Sequence, residues 1–231
     1  MTGSVLAVAL AMTLFVATHL ALSSPRLRAP LVARMGENGF RGLYSLLSLA
    51  LLAWVAFAYR DAPVVDLWHP PIGLKHLSLL IMPIACVFLV AGLTTPNPSA
   101  IGAGKPEIVN AGPTGILAVT RHPVMWGFAL WGIAHLLANG DVASLILFGG
   151  ITFLALAGAR AQDAKKRRQL GADWEGFVER TSFVPLAALF AKRARLRPGE
   201  IGWWRIALGL ALFAALLWLH PWLFGVGPLP A

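Results

Sequence analysis

TRHPVMWGFALWGIAHLLANGD, Thr120–Asp141, is the stretch on which the fold turns. From Pro123 to Ala138 it holds no Asp, Glu, Lys or Arg, yet His122 stands before its first residue and His135 near its end. A helix that is apolar all round is buried, either in a large protein core or in a bilayer. The rest of the chain chooses between them. Of 231 residues, 58% are hydrophobic and 13% charged, with a mean hydropathy of +0.71. Soluble domains carry roughly 25% charged residues. Apolar stretches recur here at about the 20 residues that cross a bilayer as a helix. The fold class is therefore all-α: a polytopic membrane bundle.

Hydropathy gives about six transmembrane helices, at Val5–Leu22, Leu43–Ala58, Leu77–Leu93, Val124–Ala138, Val142–Ala159 and Trp204–Phe224. The fourth can start as early as Gly115 if Pro123 kinks it. Arg26, Arg28, Arg34 and Arg41 occupy the first loop, Lys105 and Arg121 the third, and eleven more cations run from Arg160 to Arg205. Only Arg60 and Lys75, of nineteen Lys and Arg, fall on the other side. Basic loops stay in the cytoplasm, so both termini face outward. The same bias accounts for the net charge of +9, which is no nucleic-acid footprint. Charges follow the first apolar run instead of preceding it, so that run reads as a retained span and not a signal peptide.

Residues 1–231 read as one domain, with a cytoplasmic or interfacial segment at about 161–200. Within it AQDAKKRRQLGADWEGFVERTS has helical character: Asp163 precedes Lys166 and Arg167, and Trp174, Phe177 and Val178 repeat at i, i+3 and i+4. It is expected to lie on the headgroups, KKRR against anionic lipid, with a lid over the bundle as the alternative. FVPLAALF, Phe183–Phe190, is too short to span and is placed at the interface.

Hydrolytic and nucleotide-binding fingerprints are missing: there is no HExxH, GxSxG, P-loop or GxGxxG. None of the ten acidic residues lies deep in an expected span. The single Cys86 excludes an internal disulfide, and the lack of CxxCH excludes covalent haem attachment. Histidine is the residue type left. His69, His76 and His220 sit at span edges, where amphipathic rings are ordinary. His19, His122 and His135 belong to spans, and ionisable groups inside a membrane are functional candidates. Thirteen residues separate His122 from His135, about 20 Å along a helix and about 140° around it. One small ligand cannot readily take both. Neutral imidazole on facing helices is a good axial ligand for haem iron, and His19 can join either one. Depth favours His122, since His19 and His122 both lie near the cytoplasmic face. The plain alternative is a hydrogen bond from each ring to a neighbouring carbonyl or hydroxyl.

HLALSSPRLR (His19–Arg28), TPNPSAIG (Thr95–Gly102), Thr120–Asp141 and ERTSFVP (Glu179–Pro185) resemble the NnrU family of bacterial inner-membrane proteins. Members of that family are linked to nitrite and nitric oxide reduction in denitrification. NnrU proteins are in turn similar to the plastid 15-cis-zeta-carotene isomerase, a membrane enzyme using haem b. That resemblance implies haem b as cofactor, His19 and His135 as its axial ligands, and a hydrophobic small molecule as substrate beside the membrane lipids. The isomerase has a cysteine three residues before its second ligand histidine; Gly132 stands there in this chain.

A second resemblance supplies a rival. GPTGILAVTRHPVMWG (Gly112–Gly127) and LGADWEGFVERTSFVP are similar to isoprenylcysteine and phospholipid methyltransferases, which bind S-adenosylmethionine at the cytoplasmic face. It would put Arg121 and His122 at that cofactor. The chain departs from the pattern with Thr114 in place of tyrosine and QDAKKRR in place of an acidic pair. A third reading is non-catalytic: an assembly or maturation factor for nitric-oxide-linked enzymes.

Overall fold

Each apolar run becomes a helix, and what differs from the sequence reading is where the helices stop. The computed structural model describes residues 3–99, 109 and 112–229. Lys105 and the last residues of TPNPSAIG lie outside these. Helix α1 (Val5–Ser23) opens on Ser4, whose hydroxyl accepts the Ala7 N–H, and closes at Ser24. Helix α2 (Pro25–Arg60) begins well before the expected Leu43. Gly36, at φ 74° and ψ 166°, breaks it into a basic surface segment and a span; a side chain there would be strained. Helix α3 is Ile72–Thr94, α4 the single turn Ile116–Val119, and α5 Pro123–Ala138. Then follow α6 (Val142–Leu170), α7 (Ala172–Glu179), α8 (Ala187–Phe190), α9 (Pro198–Ile201) and α10 (Trp203–Phe224). No strand forms among the described residues; one bridge joins Asp66 to Asp141.

Five of these helices, α1, α2, α3, α6 and α10, are long and apolar enough to cross a membrane. The expected fourth span, α5, is shorter. Its 16 residues reach about 24 Å, below the roughly 30 Å of a bilayer's hydrocarbon. It does not run back to Gly115 through a kink, either. Thr120 is extended and His122 is non-helical, so α4 and α5 are separate elements. Pro123 enforces the break, because the residue before a proline is driven out of the helical region.

The helices pack in the order α2, α1, α6, α5, α3, α10. Arg205, at the start of α10, bonds the hydroxyl and carbonyl of Thr94, at the end of α3. The chain termini therefore share the end opposite to the basic loops, as the charge distribution requires. Large apolar side chains stay uncovered around the row, among them Leu6, Leu46, Leu80, Trp218 and Trp222. Hydrocarbon is the solvent that makes such a surface favourable.

Small residues bring α3, α5 and α6 together. A Cβ on Gly92 would lie 2.8 Å from Val124, on Gly127 2.7 Å from Leu89, and on Gly132 2.2 Å from the Thr152 hydroxyl. With no hydrophobic drive between helices in lipid, close backbone approach supplies the attraction. Of the small-residue clusters after α5, Gly150 meets Met12 of α1, while Gly149 and Gly158 face open space.

The far end of α5 is clasped. The Gly140 carbonyl accepts from Leu67 N at 2.7 Å and Trp68 N at 3.1 Å, and Val142 N donates to Val65 at 3.0 Å. Asp141 caps α6 through the Ser144 N–H. A Cβ on Gly140 would stand 1.8 Å from the Trp68 carbonyl oxygen, backbone that cannot swing aside. Gly140→Ala should cost about 1–3 kcal/mol. It should show as a lower Tm in detergent and faster proteolysis of the 61–71 loop.

The basic end corrects the sequence reading. The helix expected to lie on headgroups turns back at Gly171 (φ 53°), and Trp174 and Phe177 are fully buried. They pack with Phe88, Ala91, Val109, Ile116 and Leu117. The apolar stripe covers protein, not lipid. Segment 183–190 is anchored at this end by Leu186 N donating to the Val119 carbonyl, and it leaves Val184 and Phe190 exposed.

Candidate functional site at the basic end

Three of the motifs meet at the start of α5. Arg121 N donates to the Ser182 carbonyl at 3.0 Å. The Thr120 hydroxyl donates to Phe183 O at 2.8 Å, and the Trp126 indole N–H to the same oxygen at 2.7 Å. From the other side Asn97 Nδ2 donates to the Arg121 carbonyl, while its Oδ1 accepts the Ser99 N–H. The non-helical backbone at 120–122 has its polar groups met by these segments, and this lets it be buried.

At the centre lies Asp163. Arg121 reaches it with Nε at 3.0 Å and Nη2 at 2.6 Å, a bidentate pair, and His122 Nε2 donates to Oδ1 at 2.7 Å. The three side chains are 10%, 1% and 12% exposed in the order Arg121, His122, Asp163. Phe183 lies under the guanidinium groups of Arg121 and Arg160 and edge-on to His122. Buried charges persist only when paired and hydrogen-bonded, and Arg121 and Asp163 meet that need for each other. Sequence reasoning passed over Asp163 by giving it to Lys166 and Arg167. A signal was present: Ala155, Ala159 and Asp163 recur every four residues, and all three are buried.

Beside His122 is a cavity of about 250 Å³ lined by Gly92, Leu93, Asn97, Ser99, Val124, Met125 and Gln162. Two buried polar atoms at it, His122 Nδ1 and Ser99 Oγ, have no hydrogen-bond partner among the described residues. An imidazole oriented by a carboxylate through one nitrogen, with the other unengaged, can take a proton or a hydrogen bond from a ligand.

The two histidines implied as haem ligands lie elsewhere. His19 donates from Nδ1 to the Phe15 carbonyl at 2.7 Å, its ring against Phe15 and Tyr44. His135 donates from Nδ1 to the Trp131 carbonyl at 2.8 Å, its ring stacked on Phe148 and beside Trp131. Each is thereby fixed with Nε2 as the free lone pair, the form in which a metal-bound histidine is held by its surroundings. The structure does not bring the two together. Met12 on α1 packs level with Gly150 on α6, and His135 packs level with Phe148. His19, seven residues below Met12, thus lies about 13 Å nearer the basic end than His135. Each fits as a single donor to a metal, with its Nδ1 tied to backbone. His76 and His220 hydrogen-bond backbone carbonyls at helix ends, as edge histidines were expected to.

Known proteins place the chain. It is 29% identical over 162 residues to the chloroplastic 15-cis-zeta-carotene isomerase of Arabidopsis thaliana, covering 69% of this chain and 44% of that protein. With the isomerase of the same name from Zea mays the identity is 29% over 166 residues, covering 70% and 45%. The chain thus matches less than half the length of these relatives. No solved structure matches it. The family model described as "NnrU protein" matches residues 7–228, nearly the whole helical bundle, and the chain belongs to the NnrU family.

Proposed function

We propose that this chain binds haem b inside the membrane and performs isomerase-type chemistry on a long hydrophobic substrate, with His135 as the ligand to iron. The observation that carries the reading is the state of His135: Nδ1 is tied to Trp131, Nε2 is left free, and aromatic rings flank it. Bound haem would supply a redox-active iron at hydrocarbon depth. The residues here do the holding: the Trp131 carbonyl sets the tautomer, and Phe148 fixes the ring plane. His19 is a second donor that cannot share the iron unless α1 slides along α6. The activity that the relatives are named for, isomerisation of a cis carotene, supports an apolar substrate arriving from the lipid. We place the protein in a bacterial cytoplasmic membrane with its basic end inside. Its family name supports a link to nitric oxide metabolism, and a maturation role there would show as copurification with a partner enzyme.

Optical spectra of protein purified after expression with ample haem precursor test this. The wild type should show a Soret band, His135→Ala should lose it, and His19→Ala and His122→Ala should keep it. A wild-type protein without the band removes haem from the proposal. Loss in His19→Ala as well would put both histidines on one iron and require α1 to shift.

For the methyltransferase reading, the geometry leaves His122 only Nδ1 to offer a cofactor. Arg121 and His122, which it would use for S-adenosylmethionine, are both committed to Asp163.

A further inference from the structure

We infer that the cavity beside His122 is a binding site for the hydroxyl end of an apolar molecule, a lipid alcohol, entering from the bilayer. The inference does not depend on haem.

The polar end of the cavity defines the ligand's head. His122 Nε2 is engaged by the Asp163 carboxylate, so Nδ1 is the ring nitrogen left for a ligand. Ser99 Oγ can give one hydrogen and accept others, and uses neither capacity on the described residues. A hydroxyl is the group whose chemistry answers both, since it can donate one hydrogen bond and accept another. A carboxylate would add a negative charge near Asp163. An ammonium group would need a free anion, and the Asp163 oxygens already accept from Arg121 and His122.

The other walls define the tail. Gly92, Leu93, Val124 and Met125 are apolar and belong to α3 and α5. Leu93 is 73% exposed, so this side of the cavity reaches the outer surface of the bundle. A volume of about 250 Å³ lies just under the roughly 300 Å³ at which whole-ligand pockets begin. It suits a headgroup with the first part of a chain whose remainder stays in the membrane.

The test is photolabelling of the full chain in phosphatidylcholine nanodiscs. The probe is a sixteen-carbon alcohol bearing a diazirine near the hydroxyl; the matching carboxylic acid and hydrocarbon serve as comparisons. The alcohol should label peptides containing Leu93 and Met125 at least about fivefold above either comparison, the factor that each neutral hydrogen bond of ~1 kcal/mol contributes. Ser99→Ala removes a hydroxyl that bonds nothing here, so it should keep the wild-type Tm while labelling falls about fivefold. His122→Gln can still donate to Asp163 but lacks the Nδ1 acceptor, and should behave alike. Should His122→Gln fail to fold, Ser99→Ala decides alone. Equal labelling by the hydrocarbon, stronger labelling by the acid, or full labelling of Ser99→Ala overturns the assignment.

Discussion

Asp163→Ala should destabilise the protein by about 3–5 kcal/mol, the cost of removing one partner from a buried ion pair. The substitution leaves Arg121 charged at 10% exposure and strips His122 Nε2 of its acceptor. No other carboxylate among the described residues bonds either group. Because α5 begins at this pair, the loss should spread to the clasp with Ser182 and Phe183 and loosen the basic end. In detergent the Tm should fall by roughly 10 °C, at the 2–4 °C per kcal/mol expected for a chain of this size. Arg121→Met combined with Asp163→Leu should recover much of the loss, since no unmatched charge then remains buried. A single Asp163→Ala protein as stable as the wild type would show that water already serves these groups.

Gly132→Cys should cost about 2 kcal/mol, through overpacking between α5 and α6. The resemblance drawn from the sequence implies a cysteine at this place in the isomerase motif, so the change asks whether that residue can be transplanted. It meets two obstacles: the Thr152 hydroxyl at 2.2 Å and the Phe148 carbonyl at 2.8 Å from the new Cβ. Thr152 is itself bound to that carbonyl, and the carbonyl is helix backbone. The helices must part, lifting the His135 ring from Phe148. Adding Thr152→Ala clears the nearer obstacle only, so the double variant should regain part of the Tm. Full recovery would show that α6 yields more readily than a packed helix should.

The helical membrane bundle was legible because its evidence is local. A run such as 77–93 needs no partner to declare itself, and neither does the Lys and Arg imbalance between loops. The depth of His19 against His135 was legible too, from the position of each within its span. What stayed hidden depends on distant neighbours. Trp174 and Phe177 show a stripe that would look the same against headgroups or against Ile116 and Leu117. Asp163 lies forty-one residues from His122, and no spacing rule reaches that far. Pro123 could mark a kink or a break, and the choice was made by bonds to 182–183 that only the folded chain supplies.

The single-file order of helices, α2 through α10, has a kinetic consequence. Each end helix has one principal neighbour, and α10 leans on α3 almost alone. Such a palisade exposes two broad flanks to lipid, so the apolar substrate proposed above would reach it by lateral diffusion in two dimensions. Their encounter rate then follows mole fraction in the bilayer and is insensitive to aqueous solubility. Swelling the membrane with inert lipid should dilute turnover even when protein and substrate amounts are unchanged.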